Sequence, residues 1–174
     1  MGEDKALLPH PEGGNWLERS LRLMAELEAP ITLLSRWSQH LALAEALALP
    51  HLEAVVEPPP WEGPLLALHR LMELYPGERL LLCPVDMPGL NLEALNTLLA
   101  AGTMAPHRIL LAHDGSRCQP LLGLYPAEGS RRRSLATTIE SGERRLQVWL
   151  ANQPCDPVEL PAGAIRNVNG PEQL

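Results

Sequence analysis

Asp86 closes an apolar run. Leu80-Leu81-Leu82-Cys83-Pro84-Val85 leads into it, and Met87-Pro88-Gly89-Leu90 turns the chain straight after. A short apolar run bounded by turn residues is the pattern of a central parallel strand. Open α/β sheets take their ligands outside the carboxyl ends of such strands. A carboxylate there is placed to hold a hydrated Mg²⁺ and a phosphate, and Asp is equally a residue that simply opens turns. Asn167-Val168-Asn169 alternates, so an extended backbone sets both amides on one side. There they can ligand a metal or bind phosphate oxygens, or serve as turn residues before Gly170-Pro171. Lys5 precedes an apolar pair and can meet a phosphate as a point charge, or sit solvated. Gly63 opens a helix whose free N–H groups and positive dipole end favour anions, and a glycine lets a planar base approach. Gly142-Glu143-Arg144-Arg145-Leu146 offers two guanidinium groups to an anionic substrate, or forms a charged helix face. Arg131-Arg132-Arg133 reads as a solvated face.

Alternating helix and strand patterns must position these groups, which predicts βαβ units and a mainly parallel sheet. Asn15 caps a helix through about Leu27, with Leu17, Leu21, Met24 and Leu27 on one face. Strands are expected at Ile31 to Leu34 and Ala54 to Val56, with a short helix over Leu41 to Leu49 between them. A helix from Gly63-Pro64 runs to about Tyr75, with Pro in a first turn that tolerates it. Asn91 caps a helix to about Ala101. Arg108 to Ala112 and Pro120 to Tyr125 form a hairpin around His113-Asp114-Gly115-Ser116. Helices over Ser134 to Glu140 and Glu143 to Ala151 and a short strand over Val158 to Leu160 complete the set.

The 174 residues suit one domain, and a chain with no Phe must build its core from Leu, Ala, Val, Ile and Met. A net charge of −7 argues against a nucleic-acid partner. Cys83, Cys118 and Cys155 form neither a CxxC nor an even framework, so reduced thiols and a cytoplasmic setting are expected. The six His residues have no metal-ligand spacing and read as surface or packing residues. No apolar stretch reaches membrane-spanning length, and the start is not shaped as a signal peptide.

The motifs also come in a telling order. Met1-Gly2-x-Asp4-Lys5-Ala6-Leu7-Leu8 is followed by Gly63-Pro64-Leu65, Asp86-Met87-Pro88, Gln119-Pro120-Leu121, Gly142-Glu143-Arg144-Arg145-Leu146 and Asn167-Val168-Asn169-x-Pro171-Glu172. Over nearly the whole chain this succession resembles the molybdenum cofactor guanylyltransferases. The resemblance implies an α/β, single-domain, Rossmann-like nucleotidyltransferase fold with helices on both faces of the sheet. It implies transfer of GMP from GTP to molybdopterin with Mg²⁺ and release of pyrophosphate. Carried over by motif, Lys5 meets the triphosphate, Gly63 lies near the guanine and Asp86 ligands Mg²⁺. Asn167 and Asn169 line the reacting centre, and Arg144 and Arg145 face molybdopterin. Glu57 stands where an Asp is expected before Gly63-Pro64-Leu65, on the nucleotide side. Ser35-Arg36 follows a strand where an Asn is often seen, Gly170 replaces a usual Thr and Gly89 a usual aromatic. The family's first strand and Gly-rich loop are expected ahead of Met1. The domain over 1–174 is therefore read as truncated at its N-terminus, with weak GTP binding in this form. A molybdopterin cytidylyltransferase and a catalytically inactive cofactor-binding protein are the alternatives. A monomer is expected, with molybdoenzymes or other cofactor-biosynthesis proteins as possible protein partners.

Overall fold

The structure is a computed structural model and describes residues 4–10 and 13–168. A 3-10 turn over Lys5–Leu7 is followed by α1 (Trp16–Ala25), β1 (Ile31–Ser35), α2 (Ser38–Leu47), β2 (Leu52–Val56) and α3 (Pro64–Leu74). Then come β3 (Arg79–Leu82), α4 (Leu92–Met104), β4 (Ile109–His113), β5 (Cys118–Pro126), α5 (Gly129–Glu140), α6 (Leu146–Leu150) and β6 (Cys155–Glu159). The chain gathers into two compact units, one from Met1–Pro58, Pro84–Leu95 and Pro161–Leu174, the other from Pro59–Cys83 and Asn96–Leu160.

In the first unit β1 and β2 pair in parallel, from Ile31 opposite Leu52 to Ser35 opposite Val56. Ala6, Leu17, Leu21 and Ala44 are buried together, with Ile31, Leu33, Leu43, Ala54 and Val85 packed against them. Asn15 caps α1 by accepting from the Glu18 N–H at 2.8 Å. Without such a partner this first-turn donor would be left unpaired. Asn91 does the same for the start of α4, accepting from the Ala94 N–H at 3.0 Å.

In the second unit the strand order is β3-β5-β4-β6. The β4–β5 hairpin is antiparallel with an irregularity at Leu111/Ala112, and β6 runs parallel to β4. Its core joins Leu65, Leu68 and Met72 of α3 to Ile109, Leu111, Tyr125, Leu135 and Trp149. Leu and Met fill most of the volume that Phe would take elsewhere. The three cysteines are free thiols.

The strand leading to Asp86 differs from expectation. It ends at Leu82, and it pairs antiparallel with β5 from Arg79 opposite Pro126 to Leu82 opposite Gly123. Pro84 lacks the N–H that a continued ladder needs. Asp86 therefore sits in a bend beyond the strand. Among the described residues the four strand pairs divide evenly between parallel and antiparallel, because the hairpin inserts β5 against both β3 and β4. Arg131 is buried, not solvated: its Nη1 donates to Glu128 at 3.4 Å, and its Nη2 is bonded to the His107 carbonyl. Among the described residues no helix is long and apolar enough to cross a membrane.

Candidate active site

The first unit brings three of the sequence candidates onto one scaffold. Lys5 precedes Ala6, and Asp86 follows Val85; Ala6 and Val85 pack in the same apolar core. Burial of these neighbours fixes the backbone on which each polar side chain stands. Beyond Asp86, Met87 and Leu90 are buried at 4% and 3% exposure and peg the turn down. The Leu90 N–H closes the turn onto the Met87 carbonyl at 3.0 Å, and Arg19 Nε donates to the Pro88 carbonyl at 3.2 Å. The half-buried Asp86 thereby stands on a bend that is held on its far side by these contacts.

Asn167 reaches Asp86 through its neighbour. The Val168 N–H donates to the Asp86 carbonyl at 3.0 Å. Val168 itself is buried, as its expected inward orientation requires. Gly89 makes this approach possible, since a Cβ there would lie 2.6 Å from the Gly163 carbonyl oxygen. A side chain at 89 would push apart the two segments that carry Asp86 and Asn167. Among the described residues, nothing hydrogen-bonds to the buried Asn167 Oδ1. Such an acceptor costs about 1–3 kcal/mol unless something else meets it. Asn169 lies outside the described residues.

Two further groups stand at the ends of β1 and β2. Glu57 follows β2, and its N–H donates to the Ser35 carbonyl at 2.9 Å. Ser35 Oγ lies 2.9 Å from His40 Nδ1, and His40 Nε2 lies 2.7 Å from Asp4, the cap of the Lys5 turn. Sequence reasoning left His40 among the packing histidines. No local pattern pointed past that reading, because its partner Asp4 lies 36 residues away. Arg19 and the close approach at Gly89 were also missed, because neither belongs to a local pattern.

Gly63, Arg144 and Arg145 belong to the second unit. Gly63 has φ +96°, a backbone conformation that favours glycine, and a Cβ there would meet nothing within 4 Å. Backbone conformation, not internal crowding, sets the need for glycine, and its face is exposed. Arg144 pairs with Glu62, the residue before Gly63, and its Nη1 donates to the Ile139 and Glu143 carbonyls, each at 2.9 Å. The motif thus joins Arg144 to the start of α3. Arg145 forks onto Glu143 at 3.0 and 2.8 Å. That guanidinium and the N–H groups of Arg145 and Arg144 hold the Glu143 carboxyl down to about 2. Both arginines already have carboxylate partners, so an anionic substrate must exchange with those carboxylates or join them.

The residues present fit a magnesium ion. Among the described residues no cluster of three or more His, Cys, Asp or Glu forms a closed metal cage. Mg²⁺ does not ask for one: it keeps several waters and takes about one or two carboxylates together with substrate phosphates. A half-buried carboxylate beside a segment bearing an unpartnered amide oxygen is such a donor set.

Residues 1–158 match the model of the MobA-like NTP transferase domain. The chain is 33% identical over 182 residues to the probable molybdenum cofactor guanylyltransferase of Rhodopirellula baltica, an alignment spanning 100% of this chain and 83% of that protein. Its fold is similar to that of molybdopterin-guanine dinucleotide biosynthesis protein A from Archaeoglobus fulgidus, with TM-score 0.69, 17% identity and 98% and 87% of the two chains covered. It is similar also to 4-diphosphocytidyl-2C-methyl-D-erythritol synthase from Anaerococcus prevotii, with TM-score 0.75, 11% identity and 98% and 90% covered.

Proposed function

The chain belongs to the MobA-like NTP transferase family, and we propose that it transfers GMP from GTP to molybdopterin and releases pyrophosphate. One observation carries the site assignment: the Val168–Asp86 hydrogen bond, which sets Asn167, with its unpartnered amide oxygen, next to the Asp86 bend.

A terminal phosphate oxygen of molybdopterin attacks the α-phosphorus of GTP in line. The new oxygen–phosphorus bond forms as the bond from the α-phosphorus to the bridging oxygen breaks, and pyrophosphate carries away that electron pair. The nucleophile is already an anion, so no strong general base is required. Catalysis is then mostly positioning and neutralisation of charge.

Each residue has a part in that work. Lys5 offers a point charge to the β- and γ-phosphates. Gly63 and the free N–H groups that open α3 present an edge to the guanine, and Glu57 stands at the end of β2 on the nucleotide side. Asp86 and Asn167, with Asn169, would hold Mg²⁺ and meet the phosphate oxygens of the reacting centre. When bound, such an ion would supply neutralisation of phosphate charge. Arg144 and Arg145 face the molybdopterin phosphate, exchanging part of their bonding to Glu62 and Glu143 for it.

The test is pyrophosphate release by the protein with Mg²⁺, with GTP or CTP and with or without molybdopterin. Release that needs both GTP and molybdopterin is expected. Release supported by CTP alone of the two nucleotides would make the enzyme a cytidylyltransferase, and none with either would leave a binding protein.

A further inference from the structure

We propose that His40 is a positioning residue for nucleotide binding: through Asp4 it fixes the turn that carries Lys5. The inference rests on the assignment of Lys5 to the triphosphate.

The observation is a continuous chain of hydrogen bonds between two elements far apart in sequence. Ser35 ends β1 and is 7% exposed; His40 lies in the first turn of α2 and is 8% exposed. Asp4 caps the Lys5–Leu7 turn by accepting from the Ala6 N–H at 3.2 Å. Its Oδ2 also meets His40 Nε2 at 2.7 Å and the Gln39 side-chain amide at 2.8 Å.

An ionised carboxylate only accepts, so Nε2 donates to Asp4. The other ring nitrogen, Nδ1, lies 2.9 Å from the Ser35 hydroxyl oxygen, within hydrogen-bond reach. The Ser35 oxygen in turn accepts from the Trp37 N–H at 3.2 Å. Burial alone would raise the Asp4 carboxyl, but the bonds from His40 and Gln39 outweigh it and leave it below its ordinary value. Both ring nitrogens of the imidazole are thus engaged.

A merely structural residue at 40 would need only to fill space, which Leu does as well. What the polar bridge adds is a defined place for Asp4, and hence for the turn. Ala6 anchors one side of that turn in the core. Asp4 anchors the other to the end of β1. Lys5 stands between the two anchors, on a long flexible stem whose reach depends on where its backbone is held.

The experiment is calorimetric titration of the protein with Mg²⁺-GTP, in a double-mutant cycle of His40→Leu and Lys5→Ala. Loss of a charge-assisted bond sets the expected scale, so His40→Leu raises the Kd for GTP about five- to tenfold, with the KM for molybdopterin unchanged. In the Lys5→Ala background His40→Leu adds nothing further, because its effect passes through Lys5. His40→Gln, which keeps one donor and one acceptor, recovers most of the affinity. Unchanged GTP binding in His40→Leu, or losses that add in the double variant, would overturn the inference. If Lys5→Ala alone leaves GTP binding unchanged, the assignment of Lys5 falls and this inference with it, while transfer itself is judged by the pyrophosphate assay. Should His40→Leu fail to fold, Ser35→Ala cuts the same chain with a smaller change. It must weaken GTP binding for the inference to stand.

Discussion

Asn167 places a buried oxygen beside the Asp86 bend with nothing among the described residues to bond to it. A residue retained only for folding would be poor there, since the unpaired acceptor is a cost to stability. Asn167→Ala is therefore expected to keep or slightly raise the denaturant midpoint while lowering turnover about 10–100-fold, the usual scale for losing a group that orients a metal site. A structural role predicts the reverse, an early unfolding transition with turnover per folded molecule retained. The alternation Asn167-Val168-Asn169 made this residue legible from sequence, because Val168 between the two amides had to point inward, and it does. His40 was not legible in the same way. Its partner Asp4 lies 36 residues away, and no local pattern reports such a pairing.

The elements divide according to how local their determinants are. α1, α3 and α4 were readable because Asn15, Gly63-Pro64 and Asn91 mark their starts by chemistry confined to one turn. β3 was misjudged at its far end because strand length depends on a partner: β5 supplies pairing only as far as Leu82, and Pro84 cannot extend it. α6 begins later than its composition suggests, since Glu143 Oε1 accepts from the Arg144 and Arg145 N–H groups at 2.9 Å each and holds them outside the helix. α5 starts earlier, because the arginine run after Gly129 is helical and Arg131 is drawn inward. At this scale Gly89 is the joint between the Asp86 turn and the segment carrying Asn167. Gly89→Ala forces a Cβ against the Gly163 carbonyl and is expected to cost about 1–3 kcal/mol by overpacking, with turnover reduced beyond the loss of folded protein. Gly163→Ala, whose Cβ would meet nothing within 4 Å, is the control and should change neither unfolding nor turnover. Equal behaviour of the two variants would remove Gly89 from the account.

At the scale of the whole molecule, each of the two units has its own apolar core, and each holds part of the candidate machinery. Lys5, Glu57, Asp86 and Asn167 belong to one; Gly63, Arg144 and Arg145 belong to the other. The order of the motifs along the chain pointed to the family, which 33% identity to a relative across the whole of this chain and a domain match over residues 1–158 establish. The geometry within each unit could not be read from that order, because it rests on contacts such as Val168 to Asp86 and Arg144 to Glu62 that join distant segments. The central claim is that this chain moves the GMP group itself, and does so at Asp86. The direct measurement follows the label from GTP carrying ³²P at the α-position, with molybdopterin and Mg²⁺, in the wild-type protein and in Asp86→Asn. In the wild type the label is expected to become covalently attached to molybdopterin. Asp86→Asn is expected to stay folded but to slow this transfer by at least about a thousandfold, the loss expected when several kcal/mol of metal-assisted stabilisation are removed. Label that remains on the free nucleotide in the wild type, or equal transfer by the two proteins at saturating Mg²⁺, would contradict the claim.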